Sequence, residues 1–561
     1  MDREFNLLED PWIRVLDGDL TLREVSLSDA LVHAHEYRAL SGELPTQDAA
    51  MLRLLLSCLQ TCFYRWDAQG QPDPISGDEG WDKQDVLERW GEYHEAGRLP
   101  ESCLRGYLQQ HEERFWLFHP QTPFYQVAGL EHGTDYGAQG LLGNLKSSNN
   151  KATRHHFSMS EGAELLSLSY AAAARWLVYL QAYSVNVKND RKAAGGQQAA
   201  GTGRLGKLGL IYVDAPSLFE LLLRNLTPLR PNGGGIWGAP RPIWEEPVRV
   251  QQSTQIAPPD NLPQRYTLQS RRILLLRSDD AAGRVYGVRV MNGDFFGFED
   301  DFGEPMTLWK QAGGGTKKKE VPAVYIPRQH RPEVQLWREF ASIFYVGGRE
   351  GAQAHIPGVV EWIGLLCSRL IPRGELITLR TAGLQYGDAM SYTYGDCLSD
   401  GLSLSSGLLT ELGQQWLTVI RDEIDKCAQV TDRAMKQFAR SVTAVLDPGG
   451  QDTLSPRLTE EFYARIDAPF RRWLADIRPG EDSREQKAAQ WEQIARQAAL
   501  QIVKRHLDDF GVRLFMFRET ERGLSSIPRA FNQYRKAIFG IYKQTAAGRD
   551  QRQGQNQEQA S

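Results

Sequence analysis

Gly407-Leu-Leu-Thr-Glu-Leu-Gly-Gln-Gln-Trp416-Leu-Thr-Val-Ile420-Arg-Asp-Glu-Ile424-Asp-Lys-Cys427 opens the stretch that decides the architecture. Leu409, Leu412, Trp416, Ile420, Ile424 and Cys427 recur every three or four positions, and Met435, Phe438 and Val442 continue the period to residue 446. That spacing gives a helix one apolar stripe. At about 1.5 Å per residue the rod would reach roughly 60 Å. Shorter periodic segments follow at 458–474, 484–510 and 526–543. Pro456 and Pro528 stand near two helix starts, where a missing N–H costs little. Gly480 and Gly523 fall in the turns. Four helices on short connections predict an antiparallel four-helix bundle over 396–545. The polar run after Thr545 predicts a disordered tail over 546–561.

Upstream the texture is mixed. The segment from Phe5 to Leu20 reads as short strands around a Pro turn and an Asp-Gly turn. Met51, Leu54, Leu55, Cys58, Leu59 and Cys62 predict a helix over 47–64; Leu168, Ala172, Trp176 and Leu180 predict another over 165–183. Arg272-Ile-Leu-Leu-Leu-Arg and Arg284-Val-Tyr-Gly-Val-Arg-Val read as strands. Residues 1–395 are therefore expected to form a large mixed α/β lobe, and the whole an α+β protein.

The 561 residues carry 65 Lys and Arg against 70 Asp and Glu, a net charge of −5. No global field draws in a polyanion, so any nucleic-acid contact must come from local basic loops. Composition excludes wholesale disorder, a collagen-like repeat and a small disulfide scaffold. The six cysteines form no C-x-x-C pair and no regular disulfide spacing, which suits a reducing compartment. The start is too acidic for a signal peptide, and no apolar run approaches a membrane span. A soluble cytoplasmic protein is the expectation.

The strongest enzymatic motif is Gly201-Thr-Gly-Arg-Leu-Gly-Lys207, which matches G-x-x-x-x-G-K. Leu208 stands where a phosphate-binding loop needs Ser or Thr for magnesium, and no buried strand precedes it. Nucleotide-dependent catalysis remains the rival reading. Small residues still allow close approach to a phosphate, and Lys192, Arg204 and Lys207 would supply charge. His33 and His35 read as surface residues, and His155-His156 as part of a polar loop. The acidic run 298–304 reads as a solvated turn. No nucleophile elbow and no partnered cysteine is visible, so neither catalysis, cofactor nor metal is expected.

Three motifs then carry a resemblance. Asn6-Leu-Leu-Glu-Asp-Pro-Trp-Ile-Arg-Val15, Pro123-Phe-Tyr-Gln126 and Gly347-Gly-Arg-Glu-Gly-Ala-Gln-Ala354 resemble, in order and spacing, the large subunit (CasA family) of the type I-E CRISPR Cascade surveillance complex. The likeness covers nearly the whole chain and includes a terminal four-helix bundle. It implies a non-catalytic subunit that recognises the protospacer-adjacent motif of double-stranded DNA, helps open the duplex for R-loop formation and recruits the helicase-nuclease. Its partners would be target DNA, guide RNA and the backbone, small and guide-end subunits, with no membrane contact. The implied DNA wedge is Gln353, with Gly351 and Ala352 on the same turn; glycines permit a protruding turn and an amide can occupy stacked-base space. The implied minor-groove glycine loop falls at Gly195 and Gly196, with Gly201 and Gly203 as weaker matches. The family's groove lysine has no counterpart before Asn292-Gly293, so Arg284 or Arg289 is expected there instead. The loop of Lys146, Asn149, Lys151, Arg154 and Phe157 matches one that meets neighbouring subunits and nucleic acid. Lys317, Lys318 and Lys319 form a further phosphate-contact candidate, as do Arg471, Arg472, Arg496 and Arg505 on the bundle. A purely structural assembly protein is the second rival.

Overall fold

The computed structural model describes residues 3–75, 80–143, 146–148, 151–153, 167–187, 201–248, 255–277, 283–299, 302–312, 324–344, 355–387, 390, 392–520 and 523–558. The chain divides into two units. The first comprises Met1–Leu336, Gln353–Leu370 and Ile377–Gly401, and the second Trp337–Ala352, Ile371–Leu376 and Leu402–Ser561. The division lies at 401/402 rather than the expected 395/396, and two earlier segments join the second unit. Trp337 shows why. It is fully buried, stacks on Phe470 at 4.3 Å, and donates its indole N–H to Asp467 at 2.7 Å.

In the first unit, strands Leu22–Val25, Ile13–Asp17 and Tyr37–Leu40 form an antiparallel sheet. The Asp-Gly turn lies between the first two: the Asp17 carboxylate accepts from the backbone N–H groups of Asp19 and Thr21, both at 2.9 Å. A second sheet has the order Ile211–Asp214, Leu376–Tyr386, Thr393–Ser405. A third pairs Arg271–Arg277 with Arg284–Asn292, whose other edge takes Thr134–Gly137 and Leu168–Ser169.

Helix Pro45–Arg65 matches its periodicity and is buried on almost every side. Burial all round forces its one central cation to find a partner. Arg53 forms a bidentate pair with Glu304, Nη1 to Oε1 at 3.0 Å and Nη2 to Oε2 at 2.9 Å, both residues sealed from solvent. The acidic run expected as a solvated turn therefore ends in a core ion pair. Burial pushes the Glu304 carboxyl up, but the Arg53 and Arg204 charges outweigh it and its pKa lies below the ordinary value. Helix Tyr170–Tyr183 starts later than its period suggests. Leu168–Ser169 is taken by the sheet, and the Ser169 hydroxyl caps the helix by accepting from the Ala172 N–H at 3.2 Å.

The second unit carries the four helical rods. The first is α-helix Gln414–Gln429, a π-helical turn Val430–Met435 and α-helix Lys436–Leu446. It begins after two 3-10 turns, Ser406–Leu409 and Glu411–Gly413, so it is shorter than its period implied. The others are Leu454–Ala475, Arg484–Asp509 and Ile527–Glu558. Gly480 and Gly523 both turn the chain at φ +94°, a conformation that costs glycine little. The connection before the last helix is longer than expected, holding a 3-10 turn Gly511–Phe515 and a hairpin Phe517–Thr520/Gly523–Ser526. The last helix runs through the stretch expected as a disordered tail. Its first turns are already nucleated by packing, and Ala, Gln and Arg propagate a helix well.

Candidate nucleic-acid interface

The third sheet of the first unit organises the candidate site. Strand Arg284–Asn292 runs to Gly293, where a Cβ would lie 2.2 Å from the Gln269 carbonyl oxygen and 2.8 Å from the Arg271 nitrogen. Only glycine lets the two backbones approach this closely, so Asn292-Gly293 serves the fold itself. The approach places Arg271 at the end of its strand, completely buried. Its Nη1 donates to the Ser270 carbonyl at 2.8 Å; its Nη2 donates to the carbonyls of Val185 and Gly201. Burial lowers its pKa to about 10, which leaves it charged at neutral pH.

Val185 and Gly201 flank the segment that holds Lys192, Gly195 and Gly196, so one guanidinium ties both stems together. Further bonds fix the same base: Gly203 N–H to the Ser184 carbonyl at 2.8 Å, Asn186 N–H to Met390 at 2.8 Å, and the Asn292 amide to Val187 at 3.3 Å. Gly203 packs so tightly that a Cβ would stand 2.6 Å from the Ala182 carbonyl. The loop from Gly201 to Lys207 is thus folded inward. It continues through a 3-10 turn Arg204–Lys207 into strand Ile211–Asp214. A phosphate-binding loop needs a helix N-terminus at that point, and a 3-10 turn followed by a strand does not supply one.

The two cations of this turn have different fates. Arg204 is buried over the Phe296 ring at 3.7 Å and within 3.8 Å of Glu304. Contrary to the expectation for a phosphate contact, its guanidinium is an internal group in this structure. Lys207 is half-buried, and a Cβ on Gly201 would lie 3.8 Å from its Nζ. Burial, with the Arg271 and Arg204 charges beside it, lowers its pKa to about 8; Glu299 only partly offsets this.

The expected groove arginines are engaged. Arg289 forms a bidentate pair with Asp135 at 2.6 and 2.8 Å and donates Nη1 to Leu130 at 2.9 Å. The Arg289 hydrogen bonds hold the Asp135 carboxyl below the usual carboxylate range. Arg284 donates to the Ser167 hydroxyl at 2.9 Å and carbonyl at 2.6 Å. Either would have to leave a partner to enter a groove. Lys146 and Lys151 lie on a hairpin, Lys146–Ser148 paired with Lys151–Thr153, where a loop was expected. On the bundle, Arg471 pairs with Asp467 at 3.0 Å, Arg505 with Glu461, and Arg496 stands 5.6 Å from the Phe539 ring, while Arg472 is exposed.

Gln353, Gly351, Ala352, Gly195, Gly196, Lys192, Asn149, Arg154, His155, His156, Phe157, Lys317, Lys318 and Lys319 lie outside the described residues. His33 and His35 are surface neighbours with ring centroids 6.3 Å apart, beside Asp29 and Glu36. Among the described residues no three side chains gather as a metal site, and no helix is long and apolar enough to cross a membrane.

A family model described as CRISPR-associated protein Cse1 matches residues 6–502. The chain belongs to the Cse1 family. The CasA/Cse1 protein of Thermus thermophilus is 27% identical over 517 residues, covering 89% of this chain and 92% of the relative. The crystal structure of Thermobifida fusca Cse1 superposes with a TM-score of 0.78 at 26% identity, covering 96% of this chain and 98% of that one. A chain of a CRISPR RNA-guided surveillance complex has the same fold, with a TM-score of 0.63 at 16% identity over 96% of this chain and all of its own length. The Cse1/CasA family resemblance read from the three motifs therefore holds over the length of the molecule, and with it the α+β architecture.

Proposed function

We propose that this Cse1-family chain is the non-catalytic large subunit of an RNA-guided surveillance complex, and that it reads the protospacer-adjacent motif through the minor groove of target DNA. The observation that carries this reading is the Arg271 tie across Val185 and Gly201. A buried charge holding both stems gives the glycine segment a rigid base, so that Gly195 and Gly196 can approach base edges at little ordering cost. Lys207 stands at that base, its pKa lowered to about 8 chiefly by burial, where a backbone phosphate would partner it and restore its charge. The Gln353 turn would act as the wedge that opens the duplex for guide pairing, with the helicase-nuclease recruited afterwards. Guide pairing would then carry most of the sequence information, as in other RNA-guided effectors.

Assembly into a larger particle is supported by the connection between the last two helices. Val512, Phe515 and Phe517 are 87%, 78% and 70% exposed, and a cluster of large apolar side chains in water marks a protein interface. A neighbouring subunit of the complex is the partner proposed for it. Six free thiols suit the cytoplasm.

The test uses the assembled complex and duplexes with and without the motif. Gln353→Ala and Gly196→Asp should each weaken motif-dependent binding by roughly tenfold or more, the range of a lost groove contact at about 1–3 kcal/mol, with assembly intact. Normal motif dependence in both variants would leave only a structural assembly role.

A further inference from the structure

Phe302, Trp309, Tyr325 and His355 form an aromatic cluster in the first unit that the motif-reading residues above do not include. The His355 ring stacks on Phe302, with centroids 3.9 Å apart and planes 18° from parallel, and meets Tyr325 edge-on at 4.2 Å and 73°. Phe302 in turn lies 5.1 Å from the Trp309 ring and 5.8 Å from Tyr325. Trp309 and Tyr325 stand on facing strands, Trp309–Ala312 and Val324–Pro327, in which Gln311 is the residue opposite Tyr325. That diagonal puts two large rings on one face, close enough to share a neighbour.

The cluster is fixed from two sides. Two residues beyond Phe302 comes Glu304, held in the core by Arg53, and the Pro305 carbonyl accepts from the Val359 N–H at 3.0 Å. The segments 302–305 and 355–359 are therefore joined by a ring stack at one end and a backbone bond at the other. The hairpin is held as well. Arg328 N–H donates to the Leu308 carbonyl at 2.8 Å, Leu308 N–H to Gly209 at 3.0 Å, and the Gln329 amide to the Gly206 carbonyl. Gly206 belongs to the loop whose Gly201 stem Arg271 ties. The rings around His355 and the base of the glycine segment are thus one continuous frame.

His355 lies two residues after Gln353. At roughly 3.3–3.6 Å per residue, the Gln353 Cα stands within about 7 Å of the His355 Cα. Stacked bases resist a side chain pressed between them, and a wedge whose root swivels turns aside instead of parting them. We infer that His355 is a positioning residue for duplex opening: clamped by Phe302 and Tyr325, it fixes the root of the Gln353 turn and ties the wedge to the frame that carries the glycine segment. This rests on the wedge role proposed above for Gln353. His355 acts through Gln353 and meets no base itself.

The test follows opening apart from binding, in the assembled complex. A motif-bearing duplex with 2-aminopurine beside the motif reports strand separation, and a duplex already unpaired at those positions removes the need for it. Two aromatic contacts, each worth about two- to tenfold in an equilibrium, predict that His355→Ala slows opening of the paired duplex by roughly tenfold. Affinity for the pre-opened duplex and the melting temperature should stay close to those of the unmodified protein. His355→Phe keeps the stack and should open the paired duplex at nearly the full rate. Gln353→Ala/His355→Ala should be no slower than Gln353→Ala alone, because one residue works through the other. A full opening rate in His355→Ala while Gln353→Ala is slow, or losses that multiply in the double variant, overturns the inference and leaves the wedge standing. So does an equal loss on the pre-opened duplex, which would give His355 a role in stability only. A Gln353→Ala protein that opens the duplex normally would remove the wedge reading and this inference together.

Discussion

Lys207 gives the most direct handle at the scale of one residue. Its pKa of about 8 lies below the ordinary 10.5, so the unfolded chain binds the extra proton between those values. Its contribution to stability therefore rises with pH across that window. Binding has the opposite sign, because a phosphate favours the charged form. Affinity for DNA should fall as pH passes through about 8, and Lys207→Gln should remove that component; anisotropy titrations at pH 7 and pH 9 check it. Equal pH dependence in both proteins would exclude Lys207 from the contact. Glu304 tests a different property. Glu304→Gln leaves Arg53 and Arg204 buried without their shared carboxylate, and denaturant unfolding should show a loss of about 3–5 kcal/mol, the cost of an orphaned buried charge.

Among elements, the strand end at Gly293 is the most sensitive. A side chain there meets backbone rather than a yielding side chain, so Gly293→Ala should displace Arg271 and loosen both stems it ties. Stability should fall by about 1–3 kcal/mol, and hydrogen exchange at the Asn186 and Gly203 amides, which close the two stems, should accelerate beyond what the overall loss explains. On the bundle, Phe515→Ser/Phe517→Ser should leave the melting temperature nearly unchanged but weaken co-purification of neighbouring subunits. These elements also show what the sequence made legible. The bundle helices and helix Pro45–Arg65 were readable because a helix states its period locally. The late start of helix Tyr170–Tyr183 was not, since it depends on a strand more than a hundred residues away in sequence. Arg271 was hidden for the same reason: it lies in a run that reads only as strand, and its partners are distant carbonyls. Arg204 looked like a free cation because nothing near it in sequence announces Phe296 or Glu304.

The whole molecule is interwoven in a way that a single boundary cannot describe. The chain enters the second unit at Trp337, leaves it, and returns twice. A fragment ending at residue 395 would carry Trp337, Phe340 and Phe344 without their bundle, and should expose them, bind hydrophobic dye and aggregate. A fragment of 396–545 should melt at lower temperature than the bundle in the intact chain, because it lacks the Trp337 stack on Phe470 and its bond to Asp467. With a near-neutral net charge of −5, the DNA binding proposed above would have to reside in local sites, with steep salt dependence only where phosphates are met. The central claim, that the Gln353 turn enters DNA beside the motif, is tested most directly by placing a photoreactive residue at that position in the assembled complex. Irradiation with a motif-bearing duplex should give cross-links confined to the nucleotides flanking the motif. Cross-links only to neighbouring protein, or equal yields on a duplex without the motif, would contradict it.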